Sequence, residues 1–250
     1  MDVLILGCGF AGRRVAQHLL TRDVRVTATS RDPAQLADLD VTAIRVDDVR
    51  DHLRKGMHVV YSIPPDGPAD LVAQLGDAPA RVVYLSSTVV YGAAEFVDAD
   101  TPVDESSDRA RARMNAEREI AAGAWSSLIL RPAAIYGPGR GVQESWKRGA
   151  YLPGDNWVSR IHVDDLATHV VAGLFSAVTG AFPVADEEPC TSREIAEFCE
   201  KLLGPPHPVD PPRPARVTGN RRVDGSTIRR MLGIGLAYPS YRVGIPAAIA

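Results

Sequence analysis

Cysteine, lysine and any excess of charge of one sign are all scarce in this 250-residue sequence. Lys+Arg number 28 against 31 Asp+Glu, a formal net charge of −3. No basic field is available to hold a phosphate polymer, so nucleic acid is excluded as an expected partner. The three cysteines, Cys8, Cys190 and Cys199, are an odd set whose spacing fits no zinc-ligand pattern. No metal site is expected, and they read as buried or idle thiols of a reducing cytoplasm. Long apolar runs are missing too: no window approaches the roughly 18 uninterrupted apolar residues of a membrane span. Val3 to Leu6, with no basic region ahead of it, is too short for a signal-peptide core. The expectation is a cytoplasmic protein of enzyme size with no membrane partner. What is present, 45% hydrophobic and 24% charged residues, is an ordinary globular composition, ample for one large domain or a domain with a small appendage.

Short β-rich runs recur at Val3 to Leu6, Val24 to Thr29, Thr42 to Val46, His58 to Ser62, Val82 to Ser86 and Ser127 to Leu130. Each is followed by a polar stretch, and Arg13 to Leu20, Pro33 to Leu39, Ala69 to Leu75 and Asp108 to Ala122 read as helices, with Asp32 as a cap ahead of Pro33. Strands of nearly continuous hydrophobicity alternating with helices predict an α/β fold, a Rossmann-type doubly wound parallel sheet with helices on both faces. After Pro132 the alternation stops, glycines crowd between Gly137 and Gly154, and Pro205 to Pro214 is a proline-rich connector. We therefore expect a nucleotide-binding domain over 1–135 and a small C-terminal α/β substrate part over 136–250, interleaved with it. Asp164 to Phe175 and Ser192 to Leu203 are its predicted helices.

Gly7-Cys8-Gly9-Phe10-Ala11-Gly12 fits G-x-G-x-x-G, directly after the first strand and at the opening of the first helix. In that context Gly7, Gly9 and Gly12 allow a tight turn, close approach of the backbone to a pyrophosphate and close helix–strand packing, with Phe10 and Ala11 at the helix N-terminus. The end of the second strand chooses between dinucleotides, because an acid there accepts from the adenosine ribose of NAD. Here the sequence reads Thr29-Ser30-Arg31, with no acid. Thr29 and Ser30 carry donors for a 2′-phosphate and Arg31 the neutralising charge, which predicts NADP with NAD as second choice. The alternative for Arg31 is a solvated side chain capping a loop.

At this point the chain resembles the short-chain dehydrogenase/reductase superfamily, and within it the extended and atypical branch that includes nucleotide-sugar epimerases and dehydratases. The resemblance covers nearly the whole chain. Besides the glycine motif it rests on Asp48-Val49, on Leu85-Ser86-Ser87-Thr88-Val89-Val90-Tyr91-Gly92, on Arg131-Pro132-Ala133-Ala134-Ile135-Tyr136-Gly137-Pro138-Gly139, and on Arg160-Ile161-His162-Val163-Asp164-Asp165. It implies adenine contacts at Asp48 and Val49 and cofactor contacts at Ser86, Pro132 and Ile135. Ser62-Ile63-Pro64 replaces the family's usual segment after strand four as a lining of the same cleft.

That family works with a Tyr and a Lys one helical turn apart. The lysines here are Lys55, Lys147 and Lys201, preceded four positions earlier by Asp51, Gln143 and Glu197, so the pair is missing. Aligning the family helix on Met114-Asn115-Ala116-Glu117 puts Arg109 in the Tyr position and Arg113 in the Lys position. A guanidinium at 109 is no proton donor at neutral pH, whereas Arg113 retains a ribose-binding charge. Ser87 matches the family's Ser or Thr that hydrogen-bonds the substrate oxygen; the alternative is a Ser that closes the strand end. Ser87 and Arg113 are the catalytic candidates. Tyr136 reads as a wall of the cofactor cleft, His162 as structural, Asp164 as a helix cap, and the run Arg109, Arg111, Arg113, Arg118 with Asp108, Glu117 and Glu119 as a solvated helix face.

The expectation is an NADP(H)-binding atypical member that transfers hydride on a carbonyl or alcohol of a small molecule, as a monomer or homodimer. The rival expectation is a catalytically silent NADP(H)-binding sensor or scaffold.

Overall fold

The computed structural model describes residues 1–65, 67, 70–151, 153–206 and 220–250. Most of the proline-rich connector, and Ala69 at the start of a predicted helix, lie outside these described residues. In chain order the elements are β1 (Asp2–Leu6), α1 (Phe10–Leu20), β2 (Arg25–Thr29), β3 (Thr42–Ile44), α2 (Val49–His52), β4 (Met57–Tyr61), α3 (Leu71–Gln74), β5 (Pro79–Leu85), β6 (Phe96–Val97), α4 (Asp108–Ala121), β7 (Ser126–Pro132) and β8 (Ala134–Tyr136). There follow α5 (Val142–Lys147), β9 (Trp157–Val158), β10 (Arg160–His162), α6 (Val163–Leu174), β11 (Gly180–Val184), β12 (Cys190–Thr191), α7 (Ser192–Leu203), β13 (Arg222–Val223), α8 (Ser226–Leu232) and α9 (Tyr241–Ile249).

Seven strands form one parallel sheet in the order β3-β2-β1-β4-β5-β7-β11. The chain runs outward from β1 through β2 to β3, then crosses back to β4 on the other side of β1. That reversal opens a crevice at the carboxyl ends of β1 and β4, where open α/β sheets bind ligands. One face of the sheet packs Val15, Leu19, Leu166, Val170 and Leu174 of α1 and α6 over Val3, Ile5, Val83 and Leu128. The other buries Leu71, Leu75 and Ile120 over Leu4, Leu6, Val59, Tyr84 and Ile129. Alternate residues of β1 therefore serve opposite faces, as the pleat dictates.

All six strands expected from the sequence are present, and the seventh, β11, lies past position 135 and pairs with β7. Pro183 within it masks the strand signal; a proline is tolerated there because β11 is the edge of the sheet. The Pro33 segment is a 3₁₀ turn, Pro33–Leu36, rather than a helix to Leu39, although the Asp32 carboxylate does cap it by accepting from the Ala34 amide at 3.2 Å. At α6 the cap is two residues earlier than expected: His162 Nδ1 accepts from the Asp164 amide at 3.3 Å, and the Asp164 carboxylate pairs with Arg14 at 2.5 Å. His162 is 1% exposed and stacks on Tyr238, so its role is structural as expected. The next residue, Asp165, accepts from the amides of Ala237 and Tyr238 at 2.8 and 2.9 Å and fastens the approach to α9.

Candidate functional site

The carboxyl ends of β3, β2, β1, β4, β5 and β7 follow one another along one edge of the sheet, and the glycine loop, Thr29-Ser30-Arg31, Asp48-Val49, Ser62-Ile63-Pro64, Ser86-Ser87 and Pro132 stand at or soon after those ends. At the centre is the glycine loop. Gly7 has φ +89°, and a Cβ on it would stand 2.9 Å from Cγ1 of Ile63 and 3.2 Å from the Ser62 carbonyl carbon. The segment Ser62-Ile63 is thus packed on the loop, held by the Ser62 amide donating to the Leu6 carbonyl at 2.8 Å. A Cβ on Gly12 would lie 2.3 Å from the Gly7 carbonyl oxygen, so this glycine sets the close approach of α1 to β1. Gly9 is the opposite case: it is exposed, and a Cβ there would meet nothing within 4 Å. It caps α1 without a side-chain hydrogen bond, and the first turn carries no acid. The Phe10 and Ala11 amides at the positive end of an 11-residue helix therefore face an open cradle, the arrangement a pyrophosphate requires.

Thr29, Ser30 and Arg31 part company at the end of β2. Thr29 is 2% exposed, and its hydroxyl accepts from the Gly7 amide at 2.8 Å while its carbonyl accepts from the Cys8 amide. Its side chain tethers the loop from beneath. Ser30 is half-buried, Arg31 is exposed, and Arg45 at the end of β3 reaches the Arg31 carbonyl at 3.5 Å. Arg45 was missed in the sequence because it is fourteen residues from Arg31 and nothing local links the two. The pairing of β2 with β3 is what brings the two guanidinium-bearing residues to one corner. Asp48 is exposed beside them, and Val49 is fully buried.

At β5 the neighbouring serines diverge. Ser86 is 5% exposed and donates to Glu117 Oε1 at 2.5 Å. Glu117, 3% exposed, grips Arg131 through two hydrogen bonds of 3.0 and 2.6 Å, and Arg131 also donates to the Tyr91 hydroxyl at 3.1 Å. This corrects the expectation of a solvated face for Glu117. Arg111 and Arg118 do make exposed ion pairs, with Asp108 and Glu105, but Glu117 points inward to a strand residue that sequence spacing on the helix does not reveal. Ser87 is half-buried, and its hydroxyl accepts from the Val89 amide at 3.3 Å while retaining its own proton to donate. Arg113 donates to the Tyr84 hydroxyl and the Leu85 carbonyl, each at 3.2 Å, which lays its guanidinium against the end of β5. Arg109, one turn earlier on α4, is exposed.

Pro132 is buried at the end of β7, and Ile135 is half-buried in β8. Tyr136 is 1% exposed and packs with Tyr241, Ile245, Val142 and Trp146, its hydroxyl donating to the Ser240 carbonyl at 3.4 Å. It is a core residue of the C-terminal part, and burial raises its pKa well above the usual phenol value. The turn that follows is closed by paired hydrogen bonds between Gly137 and Arg140, with Gly139 at φ +72°. It carries the Arg140 guanidinium to 5.0 Å from the centre of the Phe10 ring, at the mouth of the glycine loop. The sequence offered no signal for that contact.

No family model matches the chain. A Streptomyces protein named 3-diazoavenalumate denitrifying reductase is 26% identical over 94% of this chain and 86% of its own length. Among solved structures, a functionally unknown conserved protein from Silicibacter pomeroyi superposes with a TM-score of 0.84 at 29% identity, covering 99% of this chain and 98% of that one. A putative NAD-dependent epimerase/dehydratase from Methylobacillus flagellatus gives 0.80 at 27% identity, covering 99% and 97%. The human epimerase family protein SDR39U1, solved with NADPH, gives 0.80 at 17% identity over 99% of each chain and attests the fold.

Proposed function

We propose that this chain, an epimerase/dehydratase-like member of the atypical short-chain dehydrogenases/reductases by its fold and its neighbours, binds NADP(H) and transfers hydride on a carbonyl or alcohol of a small molecule. The observation that carries the reading is the open cradle at Gly9, an uncapped helix N-terminus with space where a side chain would stand. Gly7, Gly9, Phe10, Ala11 and Gly12 hold the pyrophosphate, Ser30 and Arg31 the 2′-phosphate, and Asp48-Val49 the adenine. Ser62, Ile63, Pro64, Pro132 and Ile135 line the cleft, and Ser86 and Thr29 support it from behind. NADP(H) supplies the hydride when bound.

The protein's own part in the chemistry falls to two residues. Arg113, fixed against Leu85 and Tyr84, holds positive charge where the family places its Lys. Ser87, at the end of β5, hydrogen-bonds the reacting oxygen. With Arg in place of the family's Tyr at 109, no side chain in that position gives up a proton at neutral pH, so proton delivery runs through Ser87 and water and turnover is slow. The exposure of Arg109 favours the second reading, a silent NADP(H)-binding protein. Turnover of NADPH against a panel of aldehydes and ketones decides between them: activity lost on Ser87→Ala supports the enzyme, and no turnover with intact NADPH binding supports the silent protein. Among the described residues no helix is long and apolar enough to cross a membrane. The partner proposed is a small molecule, with the protein acting as a monomer or homodimer in the cytoplasm.

A further inference from the structure

Beyond β7 the same edge of the sheet continues to β11, and a cavity of about 430 Å³ opens there, within the range of small-molecule sites. Its walls are β6 with Asp98, the 186–189 turn after β11, and β13 with the start of α8. Arg221 ties these walls to the segment that follows Ser87, donating to the carbonyls of Thr88, Gly92 and Ala94. The cavity stands at the end of β11, two strands along from β5.

Most charges of its lining are answered by neighbours. Arg229 donates to the Ala185 carbonyl and pairs with Glu187 at 3.2 Å. Asp98 accepts from the Asp100 amide and the Thr101 hydroxyl, and Asp224 from the Ser226 amide. Two side chains remain. Asp186 is 2% exposed, neither of its oxygens has a hydrogen-bond partner among the described residues, and burial pushes its carboxyl up to about 8, which leaves it uncharged at neutral pH. Arg222 has no ion pair or side-chain hydrogen bond among the described residues, its Nε included. Its guanidinium lies over the rings of Phe96, at 3.7 Å, and Trp157, at 4.7 Å, which occupy its faces and leave its edge as a rigid donor fork. Phe96 is 62% exposed, an aromatic surface that no core explains.

We propose that this cavity is a binding site for a small aromatic monocarboxylate, its ring on Phe96 and its carboxylate on the Arg222 fork. One carboxylate matches one unanswered guanidinium. A nucleoside diphosphate would bring more than one negative charge into a lining that already holds Asp98, Glu187 and Asp224, and like charges repel. The cavity shares no lining residue with the proposed NADP(H) cleft, so its test keeps the two apart.

Calorimetry follows benzoate, trans-cinnamate, cyclohexanecarboxylate, benzyl alcohol and UDP into the protein, with and without saturating NADPH. Benzoate and trans-cinnamate are expected to bind, with cyclohexanecarboxylate and benzyl alcohol each about tenfold weaker or more. Arg222→Gln should weaken benzoate about ten- to hundredfold and leave NADPH affinity unchanged. Phe96→Ala, at an exposed position that folding does not need, should weaken the aromatic acids alone and bring them level with cyclohexanecarboxylate. Arg222→Lys keeps the charge without the fork and should recover only part of the loss. The proposal is overturned if UDP binds as tightly as benzoate, if Arg222→Gln leaves benzoate binding intact, or if no aromatic acid binds. Absence of NADPH heat alone sinks the cofactor reading and leaves the cavity test standing on the titrations without NADPH.

Discussion

The Gly7 amide donates to the Thr29 hydroxyl at 2.8 Å, so the end of β2 holds the first glycine of the loop beside it. Thr29, one of the residues expected at the 2′-phosphate, is 2% exposed and shapes the glycine loop. Thr29→Val, nearly the same shape, leaves the amide without a partner and should cost about 1–3 kcal/mol in urea unfolding. NADP and NAD affinities should fall together. A selective loss of NADP would return Thr29 to the 2′-phosphate.

The glycines at 9 and 12 should separate binding from stability. Gly9→Val fills open space, so the thermal midpoint without ligand stays near that of the parent while stabilisation by NADPH disappears. Gly12→Ala drives a methyl toward the Gly7 carbonyl and should lower the midpoint before any cofactor is added. An unchanged midpoint for Gly12→Ala would show that α1 moves off β1 freely.

With the 2′-phosphate at the corner that Arg31 and Arg45 share, Arg31→Ala and Arg45→Ala should each reduce NADP affinity about ten- to hundredfold with NAD affinity nearly unchanged. Arg140→Ala should weaken both dinucleotides alike, because its guanidinium stands over Phe10 at the pyrophosphate end. Titrations of the two cofactors against all three variants decide the assignment; an effect of Arg140→Ala on NADP only would move Arg140 to the other end of the site.

Glu117→Gln should unfold more readily than any surface variant of α4. Glu117 answers Arg131 and Ser86 at once, and breaking a buried pair from one side typically costs about 3–5 kcal/mol. A loss under about 1 kcal/mol in denaturant unfolding would show that water replaces the pair.

Asp186 should leave a signature in the pH dependence of stability. Its folded pKa, about 8, lies above the ordinary value of 3.8, so the native state holds the extra proton. The associated stability is fully present below pH 3.8 and is lost as pH rises toward 8, at up to about 1.4 kcal/mol per pH unit. Asp186→Asn, which keeps no titrating group, should become progressively more stable than the parent over that window. The buried His169, with its pKa lowered to about 4, works in the opposite sense between 6.5 and 4, so comparing variant with parent isolates Asp186. A constant difference across pH would contradict the protonated native carboxyl.

The sequence was most legible where one segment does a complete job. The strands β1 to β5 and β7, the helix α7 and the glycine loop each carry their signal within a dozen residues. Arg113, which the family resemblance puts in the Lys position, lies against the end of β5 through its hydrogen bond to the Leu85 carbonyl, a contact that only the packing of α4 on the sheet provides. Glu117 was misread for the complementary reason. Its position in an Arg-rich run resembles a surface pattern, and only Arg131, fourteen residues away on β7, makes it an interior residue.

Periodicity, turn glycines and capping residues act over a few residues, so the sequence by itself determined the alternating strands and helices, the open backbone at Gly9 and the missing acid after β2. Tertiary structure alone decided which side chains share a space. It turned Thr29 under the loop, set Arg45 beside Arg31 through the pairing of β2 with β3, and laid Arg140 over Phe10. Strand β11, whose Pro183 silences the local signal, became visible only once β7 offered it a partner on the sheet edge. Each of these contacts joins residues distant in sequence, and their free energy exists only when the intervening chain has folded, so no local pattern carries them.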